Sequence, residues 1–556
     1  MKADITRRSF DPIKHFSRVV MQQGRVQLDA DWNEQGAILL RYLRALAADL
    51  EGPSWGDGFA ISTLVLNLGV VLDDFLIGPG HFYVDGILCE INSTPLMITG
   101  FPTSDPTNAG KQIQVEAWTV DEVSFQKNQY LEIFDPAHPS MTKMVKITDV
   151  TYSNLTLTLD SDVSSFNQSV IKPRVRRVIS YLTQPDFSVA KVPGSFASPQ
   201  PLTRDHYYHV YLDVWERLIT YVEDDAIREV ALNGPDTAAR AKVISQVKVL
   251  QVPTAECLTA QQLGDMFQPW NRGRLRAQVP PTQASTDPCT IAPSSGYRGP
   301  ENQLYRVEIN TGSIDALGNP SAPSFKWSRE NGCVIFPILS GGGTNTLILE
   351  NLGRDDRFGL SPGDFVEVQD DDYVLYNRAG ILHRVESIDR TTMTVVLSGN
   401  PDSSVGGDPA KHPLLRRWDQ KANGPEVSVI LGSDNAVPIP DANTRAEGLW
   451  VDLEDGVQIQ FVGDENVQFR TRDSWLIPAR TATGDVIWPT EIAADPQGRM
   501  TTHPVALPPD GVEHHYAPLA VVHVTLSDVT VTPCNAVTSP LFTAAPSRRV
   551  GRSARA

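Results

Sequence analysis

The sequence predicts a mainly β protein with several domains, in which a short N-terminal helical segment precedes several small β-sandwich or barrel domains. Three observations support this fold class. A chain of 556 residues is too long for one hydrophobic core and corresponds to about three to five folding units. A single strong amphipathic helical pattern lies near the N-terminus. Beyond residue 53, most of the chain alternates apolar and polar residues in short runs bounded by Gly, Pro, Asn and Asp, as strands do.

The N-terminal segment opens with a turn at Asp11-Pro12 and two short apolar runs, residues 16–21 and 25–28. A glycine separates the runs, and we expect both to be strands. Arg18 and Arg25, one in each run, are expected to pair with acidic residues at the start of the helix that follows.

The helix is predicted to run from about Asp29 to about Leu50. Asp29 and Asp31 are suitable N-cap residues, and Glu34 stands three positions after Asp31 as in a capping box. Acidic residues also favour the positive end of the helix dipole. Gly52-Pro53 is a typical C-terminal stop signal.

One apolar stripe runs along this helix at spacings of seven, four, three and four residues, through Trp32, Leu39, Leu43, Leu46 and Leu50. Such a stripe must be covered. It either packs on the first β domain of the same chain or meets copies of itself about a symmetry axis, since alternating spacings of three and four are those of a short coiled coil. The sequence leaves both interpretations open.

The same segment carries an ordered set of residues: Phe10, Asp11, Pro12, Lys14, Phe16, Arg18, Val19, Gly24, Arg25, Val26, Gln27, Asp29, Asn33 and Glu34. This set resembles the N-terminal module of a family of uncharacterised proteins found with phage-tail-like contractile injection systems. A looser version, FDP followed by GRV and an NE pair, is similar to N-terminal attachment segments of some phage tail-fibre proteins. Later blocks resemble the same family, at residues 80–86, 211–217, 325–329 and 514–519. The resemblance implies a particle component and supplies no catalytic residues.

The composition limits the partners that we expect. The formal charge is −18 with a pI near 5.1, which argues against nucleic acid or an anionic membrane surface as the main partner. We identify no signal peptide and no apolar run of the ~18 residues that a spanning helix needs. We therefore expect no direct membrane span and a cytoplasmic location, with assembly into a particle that is released or associated with the envelope.

The predicted domains follow one another along the chain. They are a strand-turn-helix attachment module (1–53), the first part of a β domain (54–110), a small β-barrel (111–165), a central β domain (166–350), a second small β-barrel (351–402), a C-terminal β domain (403–538) and a basic flexible tail (539–556).

The two barrels are predicted as a weak internal repeat. Each has the order strand, acidic loop, strand, short turn, strand at nearly equal spacing, within residues 128–159 and 362–397. This order is typical of small five-stranded barrels.

Other strands are predicted from alternation. Asp85-Gly86 predicts a two-residue hairpin turn because it tolerates positive φ. Further strands are expected at 64–72, 81–91, 96–98, 206–218, 305–309, 325–327, 449–453, 457–462, 475–478 and 519–526.

Two helices are predicted to interrupt the β pattern, at 237–250 and 259–267. Residues 268–300 are rich in Pro, Ser, Thr and Gly and are expected to form a long surface loop. Ser340 to Thr344 is expected to be a flexible turn, because it lacks the lysine of a phosphate-binding loop.

The five cysteines are Cys89, Cys257, Cys289, Cys333 and Cys534. They are odd in number and widely spaced, so we interpret them as buried or incidental thiols rather than a disulfide framework or a zinc site.

Three groups of polar residues bear on catalysis. Asp370-Asp371-Asp372 lacks the glycine and closing glutamate of a calcium loop and is interpreted as a solvated acidic turn, with cation binding left open. His514 and His515 are adjacent in a strand and point to opposite faces, so they do not readily share a metal, and His523 is separate. The carboxylates between Asp213 and Asp225 have arginine neighbours that explain them as ion pairs.

The favoured function is a non-enzymatic structural component of a contractile injection particle, at the baseplate periphery or in a tail-fibre-like attachment. It would act through protein–protein assembly with other particle subunits and as a homo-oligomer, for which a trimer is one candidate, and with no cofactor, catalytic residue or metal. The alternative is a carbohydrate-binding or carbohydrate-active protein at a cell envelope, with sugar rings stacked on Trp215, Trp327, Trp418, Trp450 and Trp475.

Overall fold

The protein is mainly β, and its architecture is described from a computed structural model. The structure describes the chain except for residues 67–68, 103–105, 122, 169–171, 188–200, 233, 235, 269–270, 281–295, 315–318, 356, 422–429, 440–448, 464–466, 495–499 and 535–556. The predicted basic tail, Cys289 and residues 269–270 and 281–295 of the predicted 268–300 loop lie outside the described residues.

Three α-helices are present in the described part of the chain: α1 Asp29–Glu51, α2 Ala260–Phe267 and α3 Asp371–Leu375. The N-terminal strands are β1 Ser54–Gly56, β2 Ile61–Leu66, β3 Gly69–Ile77, β4 Gly80–Val84 and β5 Ile87–Ile91. They are followed by β6 Leu96–Gly100, β7 Gln112–Val115, β8 Thr119–Val120, β9 Val123–Ser124, β10 Tyr130–Asp135, β11 His138–Thr151, β12 Thr156–Leu159 and β13 Arg174–Ser180.

The central strands are β14 His206–Ile219, β15 Arg240–Val252, β16 Arg274–Gln278, β17 Gln303–Ile309 and β18 Ser324–Ser328. The next six are β19 Ile335–Ser340, β20 Thr346–Leu349, β21 Phe365–Gln369, β22 His383–Asp389, β23 Thr394–Leu397 and β24 Leu414–Trp418. The last are β25 Val437–Pro438, β26 Val451–Asp452, β27 Gln458–Val462, β28 Ser474–Arg480, β29 Asp485–Val486, β30 Thr490–Ala494, β31 Met500–Pro504, β32 His515–Val524 and β33 Val529–Pro533.

Two six-stranded barrels repeat one topology. In the first, the cyclic order is β6-β7-β12-β11-β10-β13, closed by the pairing of β13 with β6. In the second it is β19-β20-β23-β22-β21-β24, closed by β24 on β19. Numbered along the chain, both orders are first, second, fifth, fourth, third, sixth. The internal repeat is therefore present in the topology, with six strands rather than five, and each barrel starts earlier and ends later than the predicted range.

A four-stranded sheet of order β15-β14-β32-β33 joins the middle of the chain to its C-terminal part. The prediction of a helix at 237–250 is wrong, because this segment is the long strand β15, paired with β14 over its whole length. Its β-branched residues and the burial of Ile244 and Val247 outweigh the helix-forming Ala and Lys residues at its start.

The predicted surface loop also contains a strand. β16 pairs with β27, and Leu275 and Ala277 point into the C-terminal core. The alternation of long polar and apolar residues in 274–278 is a period-two pattern. The Pro-rich and Ser-rich composition around it obscured this pattern.

Near the N-terminus the single strand predicted at 64–72 is wrong, because its residues belong to two strands, β2 and β3, which pair antiparallel. The Asp85-Gly86 hairpin is confirmed: β4 pairs with β5, and both turn residues have positive φ, 48° and 75°. The strands predicted at 206–218, 305–309 and 325–327 are also present, within β14, β17 and β18.

The helix predicted at 259–267 is α2, capped by Thr259 and Gln262 in a capping box. Ser340 to Thr344 connects β19 to β20 as a turn, in which Gly341 and Gly343 have positive φ.

The interpretation of the cysteines as incidental thiols is wrong for one pair. Cys257 and Cys534, 277 residues apart, form a disulfide, a pairing that sequence spacing does not reveal. Cys89 and Cys333 are free thiols.

Asp370 to Asp372 is not a solvated turn. Asp370 and Asp372 are buried, Asp372 accepts a hydrogen bond from Lys411 at 2.7 Å, and Asp371 accepts one from Arg217 at 2.8 Å. The last contact links the second barrel to β14. The acidic run therefore joins two parts of the fold through ion pairs.

A buried cluster of charges connects the second barrel to the neighbouring sheet. Its centre is Glu367 on β21, whose carboxylate accepts hydrogen bonds from Lys326 at 2.6 Å and from the indole of Trp418 at 3.0 Å. The amide of Gly380 donates to the other oxygen at 2.9 Å. Burial raises the pKa of Glu367, but Lys326 and Lys2 lower it below its usual value. The carboxylate is thus held ionised in the core.

We predict that Lys326→Met lowers the free energy of unfolding by about 3–5 kcal/mol, because it leaves the buried Glu367 charge without its closest cation. Lys326 and Glu367 are each 1% exposed. The matched control is Lys242→Met, which removes an ion pair whose lysine is 51% exposed and should cost about 1 kcal/mol or less. Urea unfolding measures both, and equal losses would show that Glu367 does not depend on Lys326.

Glu454, before β27, is a second buried carboxylate with the opposite pKa shift. Burial raises its pKa to about 7, although Arg329 opposes the shift. Arg329 donates to one carboxylate oxygen at 2.8 Å, and the Tyr305 hydroxyl donates to the other at 3.3 Å. Because the folded-state pKa exceeds the ordinary value of 4.5, the stability that the protonated carboxyl contributes is lost as the pH rises toward and through 7.

Between pH 5 and pH 8, the free energy of unfolding of the wild type should therefore fall by about 2–3 kcal/mol more than that of Glu454→Gln. Urea titrations at the two pH values measure this difference. The control is Glu386→Gln at an exposed position, and an equal difference from the wild type there would show that the effect is not specific to Glu454. A wild type that gains stability relative to Glu454→Gln over this interval would contradict the assignment.

Candidate assembly interface

The predicted helix is present, and its ends are close to the predicted ones. It begins at Asp29 and ends with Gly52 as the C-cap, which has φ 90°. The capping differs from the prediction: the N-cap is Leu28, whose amide donates to Asp31 at 3.3 Å. Asp29 instead accepts hydrogen bonds from the amide and hydroxyl of Thr6, at 2.8 and 2.6 Å.

The residues before the helix run along the protein without joining a sheet. Neither 16–21 nor 25–28 is a strand, so that prediction is wrong. Among the described residues, neither Arg18 nor Arg25 forms an ion pair with the acids of the helix start, because Thr6 and Leu28 bond Asp29 and Asp31 instead.

The other attachment-motif residues have local roles or face solvent. Asp11 caps a short 3-10 helix, Pro12–Lys14, by accepting from the amide of Ile13 at 3.0 Å. Gly24 forms a turn with φ 70°. Arg18, Arg25 and Asn33 are exposed, whereas Phe10 and Glu34 are half-buried.

The start of the chain anchors this segment to the rest of the protein. Lys2 donates to the buried Glu308 at 3.0 Å, and Asn331 donates to the carbonyl oxygen of Ala3 at 2.8 Å. Arg480 donates to the carbonyl oxygen of Thr6 at 3.0 Å. Residues 2–6 are therefore fixed to β17, to the turn after β18 and to β28.

The helix rests on the β4–β5 hairpin through a small contact. Ala30 and Ile38 are each 1% exposed, and Arg44 donates to Glu216 of β14 at 2.7 Å. At the Asp85-Gly86 turn the helix backbone approaches so closely that a Cβ on Gly86 would overlap the carbonyl oxygen of Arg44. The glycine thus serves both the turn and the helix contact.

The predicted stripe faces solvent. Its members are 42% to 71% exposed: Trp32, Leu39, Leu43, Leu46 and Leu50. The interpretation of the stripe as part of the internal core is wrong, because the face that packs inside carries Ala30 and Ile38. The stripe follows a heptad with Trp32, Leu39 and Leu46 at d positions and Gly36, Leu43 and Leu50 at a positions.

The apolar surface extends beyond the stripe. On the helix, Leu40 and Tyr42 flank the seam at e and g positions and are also exposed. The preceding segment adds six exposed large side chains: Ile13, Phe16, Val20, Met21, Val26 and Leu28. The amide of Val19 donates to Gln35 at 2.8 Å, which places this segment beside the helix. Exposed apolar surface of this extent is typical of interaction sites.

The groups considered for catalysis are engaged elsewhere. His514 contacts Asp213 at 2.7 Å and His515 contacts Asp85 at 2.8 Å, so the two rings have different partners. The strand begins at His515, so His514 is not in it as the sequence predicted. His523 stacks on Tyr207.

The carboxylate of Asp213 is buried and also accepts from Lys248 at 2.6 Å. Burial would raise its pKa, but Lys248 and His514 lower it to about 2. Glu216 is paired with Arg44, and Glu223 with Arg217. These acids form ion pairs as predicted, but of the three only Glu223 pairs with an arginine that is a sequence neighbour, Arg217.

The aromatic residues proposed for sugar stacking are largely internal. Trp215, Trp327, Trp418 and Trp475 are at most 4% exposed, and Trp450 is half-buried. A cavity of about 190 Å³ at the end of the second barrel is lined in part by Tyr373, His383 and Asp402. It is smaller than the ~300–1,000 Å³ of typical ligand sites.

Two features of the interface were not predicted from sequence. Arg44, Glu216 and Gly86 fix the helix, and the exposed apolar residues before the helix widen its surface. The first set joins residues from three separate parts of the chain. The exposed apolar residues before the helix could be recognised in the sequence, as apolar runs for which no partner strand was predicted.

Of the described helices, none has both the length and the apolar character needed to cross a membrane. No curated protein and no solved structure shows significant similarity to the chain. A family model matches residues 1–156, 181–271 and 254–531, which together cover most of the sequence. The chain therefore belongs to the family of unknown function DUF6519.

Proposed function

We propose that this protein is a non-enzymatic structural component of a phage-tail-like contractile injection particle, placed at the baseplate periphery or in a fibre-like attachment, and that it assembles through α1. The observation that carries the proposal is the exposed apolar stripe on a helix that is fixed in place by its opposite face. The particle itself is proposed from the resemblance of residues 10–34 and of the later blocks to proteins found with such systems.

The occupant of the stripe is the α1 helix of other copies of this chain. A heptad with leucine at both a and d positions is the pattern of a coiled-coil seam. Leu40 at e and Tyr42 at g widen the seam beyond the two positions that a dimer buries, so the bundle contains three or more helices. Gly36 has no atom within 4 Å of its Cβ position and leaves room for a Trp32 ring from a neighbouring helix.

Assembly would also account for the sparse packing of α1 on its own chain. Burying a half-exposed leucine contributes roughly 1 kcal/mol, and the stripe offers five large side chains. The overall charge of −18 keeps the remaining surface soluble and leaves the apolar helix face as the attractive element. In this role the protein is made in the cytoplasm and carried on the assembled particle.

Leu43→Asp with Leu46→Asp should convert the oligomer to a 61.1 kDa monomer while leaving the β domains folded. The two substitutions remove roughly 2 kcal/mol of burial per helix and place carboxylates in the seam, which weakens association by more than ~100-fold. Multi-angle light scattering gives the mass and circular dichroism the fold.

The control for this pair is Val230→Asp with Leu232→Asp, which alters two exposed apolar side chains away from α1. This control should remain oligomeric. Binding to purified injection particles should be lost with the seam variant and kept with the control. A wild-type chain that is monomeric and binds no particle protein would overturn the proposal.

A second variant tests the position of the helix rather than the stripe. Gly86→Ala should displace α1, because the new Cβ overlaps the Arg44 carbonyl, and should lower oligomer affinity with the stripe intact. Gly24→Ala is the matched control: Gly24 also has positive φ, 70°, but has no atom within 4 Å of its Cβ position. Sedimentation equilibrium compares the two, and equal effects would show that backbone strain alone is responsible.

A further inference from the structure

The Cys257–Cys534 disulfide lies over one face of the four-stranded sheet. Cys257 is in the loop after the edge strand β15, and Cys534 directly follows the other edge strand, β33. The bond therefore joins the segment that follows one edge strand to the segment that follows the other. Between the edges, β14 carries His209, paired in register with Leu250 and Val521.

The His209 side chain is unusual among the buried polar groups of the described chain. It is 0% exposed, and neither ring nitrogen has a hydrogen-bond partner. Buried polar groups without a partner are rare and call for an explanation. An imidazole nitrogen and the two cysteine sulfurs all lie within 4.8 Å of one another.

We propose that the reduced form of this cysteine pair, together with His209, is a binding site for one Zn²⁺ ion. Two thiolates and one imidazole are donors that Zn²⁺ prefers. With Zn–S bonds of about 2.3 Å, tetrahedral geometry places the sulfurs about 3.8 Å apart. The Cα atoms of the two cysteines are 5.7 Å apart, so this separation requires side-chain rotation more than backbone movement.

The surroundings also suit a three-ligand site. Cys257 is exposed and Cys534 is buried, so the ion can enter from the Cys257 side and keep a water molecule as the fourth ligand. The ring of Tyr211 lies nearly parallel to that of His209, with centroids 6.3 Å apart. In this proposal the thiols of Cys257 and Cys534 are metal ligands in the reduced protein, whereas the sequence indicated incidental thiols.

The metal and the disulfide exclude each other. Reduction breaks the S–S bond with two electrons and two protons from a dithiol reductant, which becomes a disulfide itself. Zn²⁺ binding then displaces the two thiol protons to solvent. In a reducing compartment the thiol form prevails, so the site would be filled there. After the ion is lost, thiol–disulfide exchange with a small-molecule disulfide, which takes up the two electrons and two protons as it is reduced to thiols, would restore the S–S bond.

Co²⁺ titration of the dithiol-reduced, full-length protein tests the site, because thiolate-bound Co²⁺ absorbs in the near ultraviolet and tetrahedral Co²⁺ in the visible. The expected result is one equivalent bound, displaced by Zn²⁺, and none bound by the disulfide form. Cys257→Ser and Cys534→Ser should each abolish the thiolate band. Cys333→Ser, which removes a free cysteine, is the matched control and should bind as the wild type does.

The variant His209→Leu distinguishes a metal-binding role of His209 from a purely structural one. Because the ring nitrogens make no hydrogen bond, leucine should keep the fold by circular dichroism, yet weaken Co²⁺ binding by more than ~10-fold. Zn²⁺ should also protect Cys257 and Cys534, but not Cys333, from alkylation in the reduced protein. Unchanged binding in folded His209→Leu or Cys534→Ser, or no Co²⁺ binding and no protection in the reduced wild type, would overturn the proposal.

Discussion

The contact between the α1 backbone and the Asp85-Gly86 turn determines which face of the N-terminal helix is exposed to solvent. A helix with one strong apolar stripe normally turns that stripe toward its own core. Here the close approach of Arg44 to Gly86 and the ion pair of Arg44 with Glu216 hold the opposite face against the protein. The leucine stripe is left in solvent, which is unfavourable for an isolated chain and favourable for one that assembles.

The anchoring of this segment depends on the buried charges between the second barrel and the sheet beside it. Lys2 reaches Glu308, Lys326 lies between Glu308 and Glu367, and the neighbouring cations lower the pKa of Glu308 well below its usual range against the effect of burial. Such a cluster contributes little net stability compared with an apolar core, but its geometry is specific. It connects the beginning of the chain to parts more than 300 residues away.

Local signals in the sequence predicted the elements that depend on near neighbours. The bounds of α1, the Asp85-Gly86 hairpin, the capped α2 and the three-strand pattern that the two barrels share were all visible in short stretches. The orientation of the stripe was not, since periodicity identifies an apolar face but not the surface that covers it. β15 was mistaken for a helix because its pairing with β14 outweighs local propensity. The Cys257–Cys534 bond and the Arg217–Asp371 contact join distant segments, and no spacing rule predicts them.

The central claim is that the stripe of α1 is covered by other protein chains when the protein functions. A nitroxide label at position 43, on the stripe, reports this most directly when it is compared with a label at Arg41, which is exposed and lies outside the stripe. The account predicts that in the assembled protein the label at position 43 is immobilised and shielded from a soluble paramagnetic reagent, whereas the label at position 41 stays mobile and accessible. Equal mobility and accessibility at both positions, in the assembled protein as in the diluted one, would contradict it.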